Sequence, residues 1–405
     1  MTSVCLYFKV HQPYQLKDYQ REDIAKSLCY TDEIADKENI DHVADNCYLP
    51  ANEILLNQIL VHGNKFKISF SISGTVLELL MKYRPDVIKS FKKLADTGCV
   101  EFLTETYYHS LSSLYSTTEF QRQVVKHAEF ISRMFGRQPV IFRNTELIHN
   151  NKIAELIREL GFSGILCEGV ERILQGRSTN FVYRAPGDGI PLLLRNPALS
   201  DDIAFHFGDT NWSEYPLTAE KFADWLGSHP ESDSVINLFM DYETIGIHKV
   251  AASGIFDFLH ALPGAVLNIE KLAFSTPSEL VSQVRTGYEY DVQRTISWED
   301  RSAGNCVSCE NVMQNNTLKK IYSIEKMVRQ SNAEQSMDIW GRLQTADHFY
   351  HMSENQPLKY IQASKTPHQT FQHYSNMVAD FEISIINQEV TRKKTSSHSL
   401  KGTLF

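Results

Sequence analysis

Short apolar runs rich in β-branched and aromatic residues recur along the first 240 residues, with helical patterns between several of them. Strands that alternate with helices predict a parallel sheet. About seven such strands fit a closed or nearly closed barrel better than a small open sheet. The predicted strands are residues 4–10, 66–72, 99–103, 140–142, 164–167, 203–207 and 235–240.

The helical patterns between these runs carry start and stop signals. Residues 84–98 have Pro85 in the first turn, apolar residues at helical spacing and a glycine at the end. Thr118 and Gln121 form a capping-box pattern ahead of a second apolar face. Residues 153–161 form a third face that ends at a glycine. These patterns supply the crossover helices that a parallel sheet needs.

Strand signals fade in the last third of the chain. Residues 316–330 and 370–386 have helical patterns, whereas the final stretch is polar, basic and without apolar periodicity. The sequence therefore predicts a barrel at residues 1–270 and a helical region packed on it at residues 271–386. Residues 387–405 are predicted to form a mobile tail.

Composition limits the classes of protein that this chain can belong to. Of its 405 residues 42% are apolar and 13 are proline, as in an ordered globular protein. A net charge of -9, with no Lys/Arg cluster before the final stretch, argues against a nucleic-acid partner. Seven scattered cysteines are not typical of a secreted disulfide framework. Without a signal-peptide pattern or an apolar run near the roughly 20 residues of a membrane span, we expect a cytoplasmic protein.

Ionisable residues follow almost every predicted strand, and a parallel barrel carries its chemistry at the carboxyl ends of its strands. A lone Glu or His at such a place is more often a helix cap or a structural residue. Asp241 differs because it follows the apolar run "VINLFM", where a bare carboxylate is costly unless it is paired or used. The candidates are His11, Glu78, Glu105, His109, Arg143, Glu146, Glu168, Asp241, Glu243 and His248.

Two carboxylates on different strands of one barrel suit the cleavage of a glycosidic bond. One protonates the leaving oxygen, while the other attacks the anomeric carbon or activates a water molecule. Arg143 would keep Glu146 ionised as a nucleophile, whereas Asp241 needs a less polar pocket to hold a proton. His149, three residues after Glu146, is expected to be a bystander.

Several motifs together resemble glycoside hydrolase family 57, in its α-amylase-type branch. They are "HQP", "FSISG", "LADTGCVEFLTETYYHSL", "FRNTELIHNN", "LSDDIAFHF", "WSEYPLTAEKF" and "LFMDYETIG". The resemblance runs from about Val4 to Phe258 and more weakly to about Asp380. It implies a distorted (β/α)7 barrel with a C-terminal helical region that acts, without a cofactor, on α-1,4-linked glucans or maltooligosaccharides with retention of configuration.

The resemblance also implies roles for individual residues. Glu146 matches the family's nucleophile, and Asp241 matches its general acid/base. His11 of "HQP" matches the residue that lines the subsite of the reacting sugar. The substrate-binding positions implied by the motifs are His11, Glu78, His109, Arg143, Glu243, His248, Trp298 and Asp300.

The chain departs from the family pattern at the outer binding surface. Ser308 and Cys309 stand where Trp and Leu are expected, and Val250 replaces an aromatic residue. Each lost aromatic removes a stacking platform for a sugar ring. We therefore expect weaker action on long polymers. Cys306 and Cys309 form a C-x-x-C without the second ligand pair of a structural zinc site, which favours an altered loop.

Other functions are compatible with the same residues. A 4-α-glucanotransferase would use the same intermediate with a sugar hydroxyl as acceptor. A catalytically weak homologue would bind glucan without turnover. A metal-dependent polysaccharide deacetylase could use His11 and His109 with Asp241 as ligands, although the pair of Arg143 and Glu146 favours the glycosyl-enzyme route.

Overall fold

The computed structural model describes residues 1–230, 232–283, 287–298, 311–354 and 365–401, with side chains described up to Arg392. Its strands are β1 Thr2–Val10, β2 Ile68–Ile72, β3 Val100–Leu103, β4 Ile141–Arg143, β5 Gly164–Glu168, β6 Val182–Arg184, β7 Pro191–Arg195, β8 Val235–Asp241, β9 Leu272–Phe274 and β10 Tyr288–Glu289.

Most of these strands are followed by helices, as a parallel arrangement requires. The α-helices are α1 Glu33–Val43, α2 Leu49–His62, α3 Gly74–Tyr83, α4 Pro85–Asp96, α5 Ser112–Tyr115, α6 Thr117–Phe135, α7 Asn151–Glu159, α8 Glu171–Leu174, α9 Pro197–Asp201, α10 Ala219–Ser228, α11 Ile255–Leu267, α12 Pro277–Gln283, α13 Val312–Ser323, α14 Glu325–Ser331, α15 Glu334–Leu343, α16 Ala346–Tyr350 and α17 Pro367–Lys401.

The strands form two sheets that meet along two seams. One sheet has the order β3-β2-β1-β8, with β9 also paired to β1, and the other has the order β10-β6-β7-β5-β4. At one seam, the Thr104 amide donates to the Ile141 carbonyl at 3.0 Å and the Arg143 amide donates to the Thr104 carbonyl at 2.8 Å. At the other, the Asn196 amide donates to the Asn237 carbonyl at 2.9 Å. Seven strands, all but β6, β9 and β10, thereby form the ring of a distorted (β/α)7 barrel.

Alternate residues of the ring strands fill the barrel. Side chains in a strand point to opposite faces in turn, so every second residue of each ring strand points inward. Burial of each large apolar side chain contributes about 1.5–3 kcal/mol relative to an exposed one. The buried interior cluster includes Cys5, Tyr7, Leu103, Ile141, Leu166, Leu193, Val235 and Phe239.

Six of the seven predicted strands coincide with observed ones, and one prediction is wrong. Residues 203–207 do not form a strand, because Asn196 caps α9 and Pro197 begins it, and the helical path then continues as a π-helix over Asp202–His206. The strand that occupies this place in the barrel is β7, which the sequence analysis missed. Residues 84–98, 118–135 and 153–161 coincide with α4, α6 and α7.

The chain divides into two units. The first contains the barrel and comprises the described residues within Met1–Gln12, Lys37–Tyr107 and Thr118–Gly304. The second is mostly helical and comprises those within Pro13–Asp36, Tyr108–Thr117 and Asn305–Phe405. The division differs from the predicted boundary at residue 270, since β9, α12 and β10 belong to the first unit and two early segments belong to the second.

Helix α17 continues to Lys401, so residues 387–401 are helical where the sequence predicts a mobile tail. Extension of an existing helix adds one hydrogen bond per residue without the cost of nucleation, so polar residues can continue it without an apolar face.

Asp380 on α17 holds the N-terminal segment of the second unit. Its buried carboxylate accepts hydrogen bonds from the Tyr19 hydroxyl at 2.9 Å, the Tyr30 hydroxyl at 2.8 Å and the Ala25 amide at 2.7 Å. Three donors on one carboxylate satisfy a charge that would otherwise be costly to bury. Among the described residues, no helix combines the length and apolar character needed to cross a bilayer.

Candidate active site

The carboxyl ends of the barrel strands carry a layer of charged side chains directly above the apolar interior. These side chains lie two residues beyond the last apolar inward position of their strands, and therefore on the same face. Ion pairs join neighbouring strands in this layer, because a charge withdrawn from water is costly unless it is paired. The pairs are Lys9 with Asp241 at 3.0 Å, Arg143 with Glu105 at 3.5 Å and Arg195 with Glu168 at 3.5 Å.

Asp241 ends β8 and lies directly opposite Lys9 of β1 in the parallel register. Its side chain is 46% exposed, so the carboxylate is accessible to a ligand. Withdrawal from bulk water is the largest single effect and acts to raise its pKa, but the charge and hydrogen bond of Lys9 together with the charge of His248 outweigh it. The pKa of Asp241 is therefore below its ordinary value, although the charge of Glu146 acts in the opposite direction. The surroundings of Asp241 therefore differ from the less polar pocket that the sequence predicts, because the Lys9 ammonium lies opposite its carboxylate.

Glu146 lies in a 3₁₀ turn, Thr145–Leu147, directly after β4. Its backbone has φ 52° and ψ 26°, and the next residue, Leu147, has φ 50°, so both adopt the left-handed conformation that residues with a Cβ rarely adopt. Asn144 stabilises this turn. Its side-chain oxygen accepts from the Thr145 amide at 3.0 Å, and its Nδ2 donates to the Ile148 carbonyl at 2.9 Å.

Arg143 is the charged group shared by the two candidate carboxylates. Burial acts to lower its pKa, but the neighbouring Tyr7 and the charges of Glu105, Glu146 and Asp241 raise the pKa above its ordinary value. The guanidinium is 5% exposed and pairs directly with Glu105. Glu146 is thus among the charges that act on Arg143, while the ion pair of Arg143 is made with Glu105 on the neighbouring strand end.

Glu243 is buried two residues beyond Asp241 and has several donors. Its Oε1 accepts from the His11 amide and from Gln12 Nε2, both at 3.3 Å, and from the Tyr48 hydroxyl. Burial raises the pKa of Glu243 to about 7, with a smaller contribution in the same direction from the nearby charge of Asp241. The two acidic residues after β8 therefore have pKa values shifted in opposite directions, and Glu243 is the one that holds a proton near neutral pH.

His11 follows β1 and is also part of this layer. Its Nδ1 lies 2.7 Å from the Ser73 hydroxyl, and its side chain is buried. Ser73 itself caps α3 by accepting from the Val76 amide, so the helix start fixes the position of the imidazole's partner. The structure thus brings His11 and Glu243 together from the ends of β1 and β8.

The other predicted site residues are less closely tied to this layer. Glu78 on α3 accepts a hydrogen bond from the Tyr107 hydroxyl at 2.8 Å. His248 is exposed, and its amide donates to the Glu243 carbonyl at 2.9 Å. His109 belongs to the second unit, where its carbonyl accepts from the Ala346 amide at 2.9 Å. Asp300 lies outside the described residues.

Trp298 contacts Glu146 directly. Its amide donates to the Glu146 carbonyl at 3.1 Å, and its indole Nε1–H donates to the Glu146 carboxylate. His149, by contrast, is 1% exposed, and neither ring nitrogen has a hydrogen-bond partner among the described residues. Burial lowers the pKa of His149 to about 4, so the ring is neutral and takes no part in the charged layer.

Lys9, Arg195 and Tyr48 take part in this layer but are absent from the candidates that the sequence predicts. A signal for Lys9 was available, because it precedes His11 by two residues in a strand and therefore shares its face. The same spacing relates Arg195 to the buried Leu193. Tyr48 carries no comparable signal, since it reaches Glu243 from a helical segment far away in sequence.

Comparisons with known proteins agree with this architecture. The family model described as Glycosyl hydrolase family 57 matches residues 5–293. A protein of Methanocaldococcus jannaschii that carries the name "Putative alpha-amylase" is 38% identical over 395 residues, which cover 93% of this chain and 84% of the relative.

Solved structures bear on the fold. A branching enzyme of Thermococcus kodakaraensis matches with a TM-score of 0.69 at 13% identity, over 96% of this chain and 90% of that enzyme. A 4-alpha-glucanotransferase of Thermococcus litoralis matches with a TM-score of 0.66 at 15% identity, over 86% of this chain but only 56% of that longer enzyme. With a family match over most of the barrel and a relative similar along almost its whole length, this chain belongs to glycosyl hydrolase family 57.

Proposed function

We propose that this chain is a retaining glycosidase that cleaves α-1,4-glucosidic bonds in α-glucans or maltooligosaccharides, with Glu146 as nucleophile and Asp241 as general acid/base. The observation that carries the proposal is that these two carboxylates come from different ring strands at the carboxyl end of one barrel, Glu146 in the turn after β4 and Asp241 at the end of β8. Two carboxyl groups at one barrel end are the minimum that this chemistry requires.

In the first step, a Glu146 oxygen forms a bond to the anomeric carbon while the bond from that carbon to the leaving oxygen breaks. The leaving oxygen takes a proton from Asp241, and a glycosyl ester of Glu146 results. Arg143 favours the ionised form of Glu146 that this attack needs. In the second step, the oxygen of water or of a sugar hydroxyl bonds to the anomeric carbon, the bond from that carbon to Glu146 breaks and releases its carboxylate, and Asp241 takes the proton of the attacking hydroxyl.

The resting charge state has a consequence for the first step. Because Lys9 keeps Asp241 ionised in the free chain, Asp241 must take up a proton before it can act as an acid. A sugar that displaces water from the partly exposed Asp241 carboxylate favours its neutral form, since loss of solvent disfavours the charge. In the second step, the ionised form favoured by Lys9 is the one required of a general base.

Residues around the two carboxylates are proposed to bind the sugar. His11, Arg143, Glu243 and His248 follow β1, β4 and β8 and lie near Asp241 or bond to its neighbours. Glu78, His109, Trp298 and Asp300 are carried from the family motifs. The relatives' names fit an α-glucan substrate: they include an alpha-amylase, a 4-alpha-glucanotransferase and a branching enzyme.

The test compares the unaltered chain with Glu146→Gln and Asp241→Asn on maltooligosaccharides, with products and their anomeric form followed by NMR. We expect α-anomeric product from the unaltered chain and loss of product from both variants. Products that are all shorter than the substrate indicate hydrolysis. Oligosaccharides longer than the substrate indicate a 4-α-glucanotransferase on the same site. Binding of maltooligosaccharide without any product would instead identify a catalytically inactive homologue.

A matched control is Glu289→Gln, which removes a carboxylate on β10 that is paired with Arg184. It should retain the activity of the unaltered chain, because β10 is not a ring strand. Rates like those of the unaltered chain in Glu146→Gln or Asp241→Asn would contradict the assigned roles. Inversion of the anomeric configuration would contradict the covalent route.

A further inference from the structure

A segment late in the first unit runs antiparallel along the loop that carries Glu146. We call residues 291–298 the clamp segment. The His149 amide donates to the Ile296 carbonyl at 3.0 Å, and the Ile296 amide donates back at 2.9 Å. Further along, the Asn151 amide donates to the Val292 carbonyl at 2.9 Å. The clamp segment therefore pairs with the Glu146 loop through its backbone.

Side chains strengthen this pairing. Asn150 Nδ2 donates to the Thr295 hydroxyl at 2.8 Å, and Asn151 Oδ1 accepts from the Val292 amide at 2.9 Å. Asn150 also caps α7 by accepting from the Ile153 amide. The Glu146 loop is thus fixed on one side by a helix start and on the other by the clamp segment.

Trp298, the last described residue of the clamp segment, holds Glu146 at two points. Its amide donates to the Glu146 carbonyl at 3.1 Å, while its indole N–H donates to the carboxylate oxygen Oε2. No sugar is needed for these contacts. Trp298 therefore makes contacts that the substrate-binding role implied by the family motifs does not include.

The backbone of Glu146 explains why such a contact is useful. The left-handed conformation of Glu146 and Leu147 is unfavourable for residues with a Cβ, so surrounding contacts must maintain it. Such conformations often occur where a side chain has to be presented to a ligand. A donor on one carboxylate oxygen restricts rotation of the carboxyl group.

We propose that Trp298 is a positioning residue for Glu146: its indole N–H holds Oε2 and thereby orients Oε1 toward the anomeric carbon of the sugar. This inference rests on the proposed function of Glu146 as nucleophile. The hydrogen bond also favours the ionised carboxylate over the neutral acid, since an indole can only donate. Among the described residues, charged groups that act on Glu146 include Arg143 of β4, which favours its ionised form, and Asp241 of β8, which opposes it.

A packing role is the alternative explanation, because the Trp298 ring also contacts the buried barrel cluster. Two variants separate the roles. Trp298→Phe removes both the N–H and part of the ring, whereas Trp298→3-benzothienylalanine keeps a bicyclic ring of the same shape and lacks only the N–H. The matched control is Trp225→Phe on α10, where the ring lies under Lys221 Nζ and contacts the rings of Trp212 and Phe222.

The assay follows nitrophenol released from 4-nitrophenyl α-maltotrioside as a function of pH. We expect both Trp298 variants to lose about 100-fold in kcat, the typical effect of removing one well-placed donor, with little change in KM. The acid limb of kcat/KM should move to higher pH, because Glu146 loses a donor that favours its ionised form. Trp225→Phe should match the unaltered chain in both respects.

Unchanged kcat and an unchanged acid limb in the benzothienylalanine variant would overturn the inference and leave Trp298 with a packing role. If Trp298→Phe unfolds at a lower temperature, the isosteric variant still decides the question, since it preserves the ring volume. If the unaltered chain releases no nitrophenol at all, the proposed function fails, and this inference fails with it before any variant is compared.

Discussion

Replacement of His149 by leucine is expected to remove a component of stability that depends strongly on pH. The imidazole is 1% exposed, has no hydrogen-bond partner among the described residues and is neutral in the folded chain. In the unfolded chain, the same ring is solvated and takes up a proton near pH 6.5. The unfolded state therefore binds more protons than the folded state as the pH falls below that value.

The size of the effect follows from the two pKa values. Burial lowers the pKa of His149 from 6.5 to about 4. One pKa unit corresponds to about 1.4 kcal/mol, so the folded chain loses about 3 kcal/mol of unfolding free energy between pH 6.5 and pH 4 through this residue. The contribution is fully present above pH 6.5 and is lost progressively toward pH 4. Leucine has no proton to bind in either state, so its variant lacks this loss.

The measurement is urea unfolding of the unaltered chain and of His149→Leu at several values between pH 7.5 and pH 4. The quantity of interest is the difference in unfolding free energy between the two, in which the carboxyl groups common to both cancel. This difference should change in favour of the variant by about 1.4 kcal/mol per pH unit in the lower part of the range.

Ile153→Val serves as a matched control, because it removes one buried methyl group nearby and nothing that titrates. Its difference from the unaltered chain should be the same at every pH. A His149→Leu difference that is equally flat would refute the reasoning, since it would mean that the buried imidazole takes up protons as readily as a solvated one.

Two further outcomes follow from contacts described above. Lys9→Met should raise the pKa of Asp241, because it removes the cation that lowers this pKa. The alkaline limb of the pH–rate profile should therefore move to higher pH. An unchanged limb would show that Lys9 does not control the pKa of Asp241. Asp380→Asn should destabilise the second unit by about 1–3 kcal/mol, because its carboxylate accepts three hydrogen bonds. The measurement compares the thermal unfolding midpoints of Asp380→Asn and of Glu382→Gln, which removes a more exposed carboxylate of the same helix. Equal midpoints for the two variants would contradict the prediction.

The barrel could be predicted because most of its strands are buried on both faces. Such strands appear in a sequence as continuous apolar runs, as in residues 66–72 and 235–240. Strand β7 escaped prediction because its run, "PLLLR", has neither β-branched nor aromatic residues. Residues 203–207 were wrongly predicted as a strand for the opposite reason. Their apolar pattern is typical of a strand, but they continue a helix that begins at Pro197.

The candidate site could be located only in part. Glu146 and Asp241 directly follow predicted strands, so their convergence follows from the parallel topology. The charge state of Asp241 depends instead on which residue of β1 lies opposite it, and the register that brings Lys9 there is not encoded in either strand alone. The contacts of Trp298 and Tyr48 join segments far apart in the chain, and no local pattern predicts them.

The alternation within the ring strands has a consequence for how this chain can vary. In β8, Phe239 lies in the apolar interior and Asp241 in the charged layer, and Tyr7 and Lys9 have the same relation in β1. The same two-residue alternation therefore places both the side chains that stabilise the barrel and those of the candidate site. A single-residue deletion inside such a strand would move both the apolar and the charged side chain to the outer face. Substitutions can alter the two ends of a strand separately, whereas insertions and deletions cannot, so length changes in this family should accumulate in the connections rather than in the strands.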